Sequence, residues 1–208
     1  MTRLALCLVP LLHAALVVPS LAACPPNKFD ISGSQFSSSL PIDNRSTSQG
    51  NGKYNIPTGL VQVGSGCGFE CGGSSDLAVE DDFTLTGVPD GTSVPLVAHF
   101  VVGLFQNGPS SASANIQDLT HGGGASVNGP KTGYDLSLPV AAVAGQPFRL
   151  HFQLSCGTFG DRGSATGTFS LSGLPPGSVL TSCNGFNAAG QPVPTRPGSW
   201  GTVKALYR

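Results

Sequence analysis

This chain is short of charge and of helix-forming residues. Its 208 residues include one Met and one Trp, and only 10% are Asp, Glu, Lys or Arg. Glu occurs only as Glu70 and Glu80. Such a composition disfavours helices and directs attention to strands and turns. The Lys and Arg residues are scattered and the formal net charge is −1, so the basic stripe that nucleic acid demands is missing. After the N-terminal segment no run approaches the ~20 apolar residues a membrane span needs, so no transmembrane helix is expected in the mature chain. Gly-x-Ser-x-Gly does not occur, which leaves His121-Gly122-Gly123-Gly124 as a turn and not a lipase oxyanion loop. Cys67 and Cys71 have no further Cys or His at zinc-ligand spacing. Two Glu give no carboxylate pair of the glycosidase kind. His151, on a polar strand face, has Asp135 or Asp161 as a prospective acid partner, and no nucleophile is legible beside it or beside His99. We expect no enzyme, no cofactor and no metal.

What is abundant is glycine (29) and proline (17), with 39% hydrophobic residues, enough for a real core. The organising stretch is Phe83 to Phe105. Phe83 and Leu85 alternate into a Gly-Val-Pro-Asp-Gly turn, then a long apolar strand leaves with Leu96, Ala98, Phe100, Val102 and Leu104 on one face. Val97, Val101 and Phe105 make its other face apolar as well, which predicts a strand covered on both sides. Phe169 to Val179 repeats the strand–turn–strand unit. Phe148, Leu150, Phe152, Leu154 and Cys156 alternate with Arg149, His151, Gln153 and Ser155, the pattern of a half-buried antiparallel strand. Residues 28–40 suggest one edge strand and 42–53 a loop. Asp81 falls in phase with Leu77, Val79, Phe83 and Leu85, so either a bulge resets the strand or Asp81 is a partnered buried acid. Glu80-Asp81-Asp82 lacks the spacing of a Ca²⁺ loop and reads as a solvated face. The expected fold is all-β: an antiparallel β-sandwich of about eight to ten strands, jelly-roll-like or immunoglobulin-like.

Three segments follow: a signal peptide at 1–23, a domain at 24–186, and a Pro/Gly linker with a tail at 187–208. Arg3, an apolar run to Val18 and the small residues Ser20-Leu21-Ala22-Ala23 form the signal pattern, which places the protein outside the cytoplasm, extracellular or at the cell surface. Leu21-Ala22-Ala23-Cys24 also resembles a lipobox, which would make Cys24 a lipid-anchored first residue; the alternative is ordinary cleavage after Ala22, with Cys24 paired or free. With Cys24 acylated, the remaining cysteines can pair as Cys67–Cys71 and Cys156–Cys183. Trp200, Lys204, Tyr207 and Arg208 in the tail form either a docking element or a sorting signal.

The stretches AVEDDFTLTGVPDGTSVPLVAHF, GQPFRLHFQLS with GTFSLSGLPPGSVLTSCNGF, and the ending SWGTVKALYR together resemble uncharacterised secreted bacterial β-sandwich proteins of the PEP-CTERM-exported type. The chain departs from that type in having no Pro-Glu-Pro, no following apolar span and no terminal Arg cluster. The resemblance implies the fold and export, and no activity. The expected role is a secreted or cell-surface structural or interaction module, with a cell-envelope or extracellular polymer as partner. The alternative is a carbohydrate-binding sandwich, with Phe69 and Phe159 as ligand contacts and Tyr54 and Phe105 as the other loop or edge aromatics.

Overall fold

The computed structural model describes residues 24–66, 72–107, 110–159 and 161–186. The signal segment, Cys67, Phe69, Cys71 and the tail with Trp200, Lys204, Tyr207 and Arg208 lie outside them. The strands are β1 (Asn27–Ile31), β2 (Ser34–Ser38), β3 (Ile42–Thr47), β4 (Gly50–Asn55), β5 (Leu60–Gly66), β6 (Gly72–Thr86), β7 (Ser93–Gln106), β8 (Ser110–Asp118), β9 (Gly124–Asn128), β10 (Lys131–Val143), β11 (Pro147–Phe159), β12 (Arg162–Ser172) and β13 (Val179–Ser182). They form two antiparallel sheets packed face to face. The first runs β2-β1-β6-β11-β8-β9, with β13 also on β6; the second runs β10-β7-β12-β5-β4-β3. The expected sandwich is therefore present, with more strands than the sequence pattern suggested. The extra ones are polar: residues 42–55 form the hairpin β3–β4, not a loop. Residues 28–40 fold back on themselves as β1–β2, turning at Ser32 and Gly33, both at positive φ.

Period-two alternation builds the core. β6 is buried at every second residue from Gly73 to Leu85, and β11 at every second residue from Phe148 to Thr158. Between the sheets a chain of rings runs Phe148–Phe83–Phe186–Phe169–Phe152–Phe100, with centroids 4.3–5.9 Å apart. These contacts add to area burial by about 0.5–1.5 kcal/mol per pair. Gly167 on β12 seats this stack, because a Cβ there would overlap the Phe100 ring. The inward face of β7 is buried as expected. Its outward face is not: Val101 is 44% and Phe105 57% exposed. The strand is central within its sheet, with β10 and β12 as neighbours, but nothing among the described residues covers its outer side.

The two ends of the domain meet on one edge of β6. β1 pairs with Ser75 to Ala78 and β13 with Phe83 to Thr86. The interval between them is stitched by other bonds. The Glu80 N–H donates to Asn27 Oδ1 (3.1 Å), Asn184 Nδ2 to the Glu80 carbonyl (3.1 Å), and the Cys183 N–H to the Asp82 carbonyl (2.8 Å). There is no bulge at Asp81. It is fully buried, accepts the Asn184 N–H at 2.9 Å and the Ser182 hydroxyl, and burial pushes its carboxyl up to about 6.

Cys24 and Cys183 close this junction with a disulfide, Cα atoms 5.5 Å apart. This corrects two expectations. Cys183 pairs with Cys24, so Cys156 is a free, buried thiol on the inward face of β11. A sulfur held in a disulfide cannot carry a thioether lipid, so the lipobox reading of Cys24 does not hold in this state. Cys156–Cys183 was open only with Cys24 acylated; side-chain direction decides pairing, and Cys156 points between the sheets.

Candidate functional site

Pairing register places one row of side chains across the outer face of the second sheet. Phe105 on β7 stands opposite Ser164 on β12, Ser164 opposite Gly64 on β5, Gly64 opposite Asn51 on β4, and Asn51 opposite Ser46 on β3. Four inter-strand steps give a span of ~19 Å. Gly64 in the middle has no side chain, and a Cβ there would press on Asn51 at 3.3 Å. The result is an open trough of ≈ 650 Å³. Phe105 stands on one side, Asn51 and Ser46 on the other, and Arg162, two residues before Ser164 on β12, also lines it. Phe105 lies out there because β7 keeps strict alternation to its last turn, and Gly103 before it meets nothing within 4 Å.

The chemistry of this trough is an exposed ring beside amide, hydroxyl and guanidinium groups, with no carboxylate among the described residues that line it. An Asn amide both donates and accepts, and Arg presents a planar fork of donors. Such a surface suits a ligand with one apolar face and many hydroxyls.

Phe159, an expected contact, is 63% exposed, but it stands at the end of β11 in the first sheet, opposite Gly72. It does not share the trough with Phe105. Tyr54 is buried, stacks on Phe29 at 5.5 Å and donates its hydroxyl to the Leu40 carbonyl, so it is core. The first sheet's outer face holds a smaller depression of ≈ 430 Å³ over Ala78, walled by Lys28, Asp30, Asp76 and Gln153. Two rings border it: Phe29 is buried in the core, and Phe36, partly buried, lies under the Arg45 guanidinium at 5.9 Å.

The acidic run is split by strand alternation. Asp81 points inward, while Asp82 takes a bidentate pair from Arg149 (2.7 and 2.8 Å) and Glu80 faces His151 at 3.4 Å. His151 therefore meets Glu80, not Asp135 or Asp161. Among the described residues no three His, Cys, Asp or Glu gather to hold a metal ion. No helix among them is long and apolar enough to cross a membrane. His121 caps a tight turn: buried Asp118 accepts the N–H groups of Thr120 and His121 at 2.9 Å and meets His121 Nδ1 at 2.8 Å.

His99 has a hydroxyl neighbour that the sequence reading did not find. It stands on the outward face of β7, six residues and ~20 Å along the strand from Phe105. Its Nδ1 is 2.9 Å from Asp135 Oδ2 on β10 and its Nε2 is 2.9 Å from Ser172 Oγ on β12. Sequence reasoning missed this neighbour because Ser172 is contiguous with His99 only through the β7–β12 register.

No protein-family model and no curated protein matches the chain. Among solved structures it is similar to the carbohydrate-binding module TmCBM61, determined in complex with β-1,4-galactotriose. The likeness is 15% in sequence, covers 54% of this chain and 70% of that one, and has a TM-score of 0.30. At that level it carries no argument about the ligand here.

Proposed function

We propose that the protein is an extracytoplasmic recognition module that binds a neutral carbohydrate polymer along the outer face of its second sheet. The observation that carries this reading is the trough itself: an exposed Phe105 and a Gly64 floor flanked by Asn51, Ser46, Ser164 and Arg162. A pyranose ring offers C–H bonds on one face for stacking and hydroxyls at its rim for Asn and Arg. Low surface charge removes the long-range field that an acidic or basic ligand would use. The Cys24–Cys183 bond supports export, since such bonds persist in oxidising compartments.

The test is affinity electrophoresis through gels containing neutral polysaccharides, followed by calorimetry with oligosaccharides of the retarding polymer. Retardation by at least one polymer, weakened about tenfold in Phe105→Ala, is expected, equivalent to about 1.4 kcal/mol. Migration unaffected by every polymer would reject the reading.

A further inference from the structure

Three neighbouring strands of the second sheet put Ser172, His99 and Asp135 into one hydrogen-bonded line. All three side chains emerge on the outer face: Ser172 ends β12, His99 is midway along β7, and Asp135 lies on the edge strand β10. Asp135 Oδ2 is 2.9 Å from Nδ1 and Ser172 Oγ is 2.9 Å from Nε2, so each ring nitrogen has a different partner. An ionised carboxylate only accepts, which puts the imidazole proton on Nδ1 and leaves the Nε2 lone pair for the Ser172 hydroxyl proton. Ser137 Oγ, 3.2 Å from Nδ1, adds a second polar contact on the Asp135 side. Ser172 is exposed. Directly after it, Gly173 at φ +86 turns the chain away, and a Cβ there would meet the Pro95 carbonyl at 2.9 Å.

We propose that Ser172 is a nucleophile activated by His99, with Asp135 as the positioning residue, and that the site cleaves acyl esters. A serine–histidine–acid constellation is recognised by geometry and roles, not by chain order or fold. Ser172 Oγ bonds to the acyl carbon as its proton passes to His99 Nε2; the ester C–O bond breaks and that proton leaves with the alcohol. Water then attacks the acyl-Ser172 carbon, giving its proton through Nε2 back to Ser172 Oγ, and the carboxylic acid departs. The reaction consumes one ester and one water and needs no other reactant. The choice of substrate rests on the carbohydrate reading above: acyl substituents on a polymer held at Phe105, ~20 Å along the same strand face. The chemistry does not rest on it. His99 and Asp135 side chains are 27% and 43% exposed, so water weakens their coupling and turnover is slow.

The experiment is covalent capture of the folded full chain with a fluorophosphonate, read by intact mass and peptide mapping, with p-nitrophenyl acetate hydrolysis beside it. One phosphonyl group on Ser172 is expected, with capture slowing in acid as an imidazole base requires and vanishing in denaturant. Ser172→Ala abolishes capture, His99→Gln slows it at least a hundredfold and Asp135→Asn at least tenfold, each with an unchanged melting temperature. Absence of capture, capture at another residue, or an unchanged rate in His99→Gln would overturn the proposal. These small reagents need no polymer, so loss of polysaccharide retention in the same preparations bears on the Phe105 trough alone.

Discussion

Replacing Asp81 with Asn should flatten the pH dependence of stability. Asp81 is a carboxyl fully enclosed between the sheets, and burial is the main reason its titration lies at about 6 instead of 3.8. The bonds from Ser182 and the Asn184 N–H oppose that rise without cancelling it. A carboxyl raised in the folded state holds its proton more tightly folded than unfolded. Its favourable contribution is complete below about pH 4 and is lost as pH rises through about 6. Roughly two pH units at 1.36 kcal/mol each make about 3 kcal/mol across that window. Asn imitates the protonated acid: its carbonyl accepts the Asn184 N–H and its amide donates to Ser182 Oγ. The assay is urea unfolding from pH 4 to pH 8 with the disulfide intact. The stability difference, Asp81→Asn minus wild type, should rise with pH and favour the variant above pH 6 by up to about 3 kcal/mol. A variant that is less stable than wild type by a constant amount at every pH would show that Asp81 serves as a solvated anion, and the burial argument would fail.

Cys24→Ser opens the bond joining residues 159 apart, a loop for which chain entropy predicts a loss of about 5 kcal/mol, and urea unfolding should show it. Gly167→Ala should cost about 1–3 kcal/mol by crowding the Phe100 ring, with near-ultraviolet circular dichroism reporting disturbed aromatic packing. Cys156 should resist iodoacetamide at neutral pH in the folded protein, since burial pushes its thiol up, and react on unfolding; peptide mapping distinguishes it from the other cysteines. Arg162→Ala should weaken polysaccharide retention less than Phe105→Ala, because an exposed hydrogen-bond donor is replaced by water.

Much of the fold was readable because alternation is local. The inward residues of β6, β7, β11 and β12 follow from period two alone, and Asp81 was flagged by sitting in phase with its apolar neighbours. The hairpin β3–β4 was not readable: Asn44, Arg45, Ser46, Asn51, Gly52 and Lys53 carry little strand signal, and pairing to β5 imposes their form. The open outer side of β7 was misread for a related reason, since Val97, Val101 and Phe105 look like core until one knows that no layer lies over them.

Class, compartment expectation and inward faces were legible from the chain alone, because composition and alternation act within a few residues. Tertiary structure decided what register and chain return bring together. Cys24 reaches Cys183 because β1 and β13 share one edge of β6. Phe105 gains Gly64 and Asn51, and His99 gains Asp135 and Ser172, through cross-strand pairing between residues far apart in the chain. No local pattern encodes those partners, since a one-residue slip in register would move each to the opposite face.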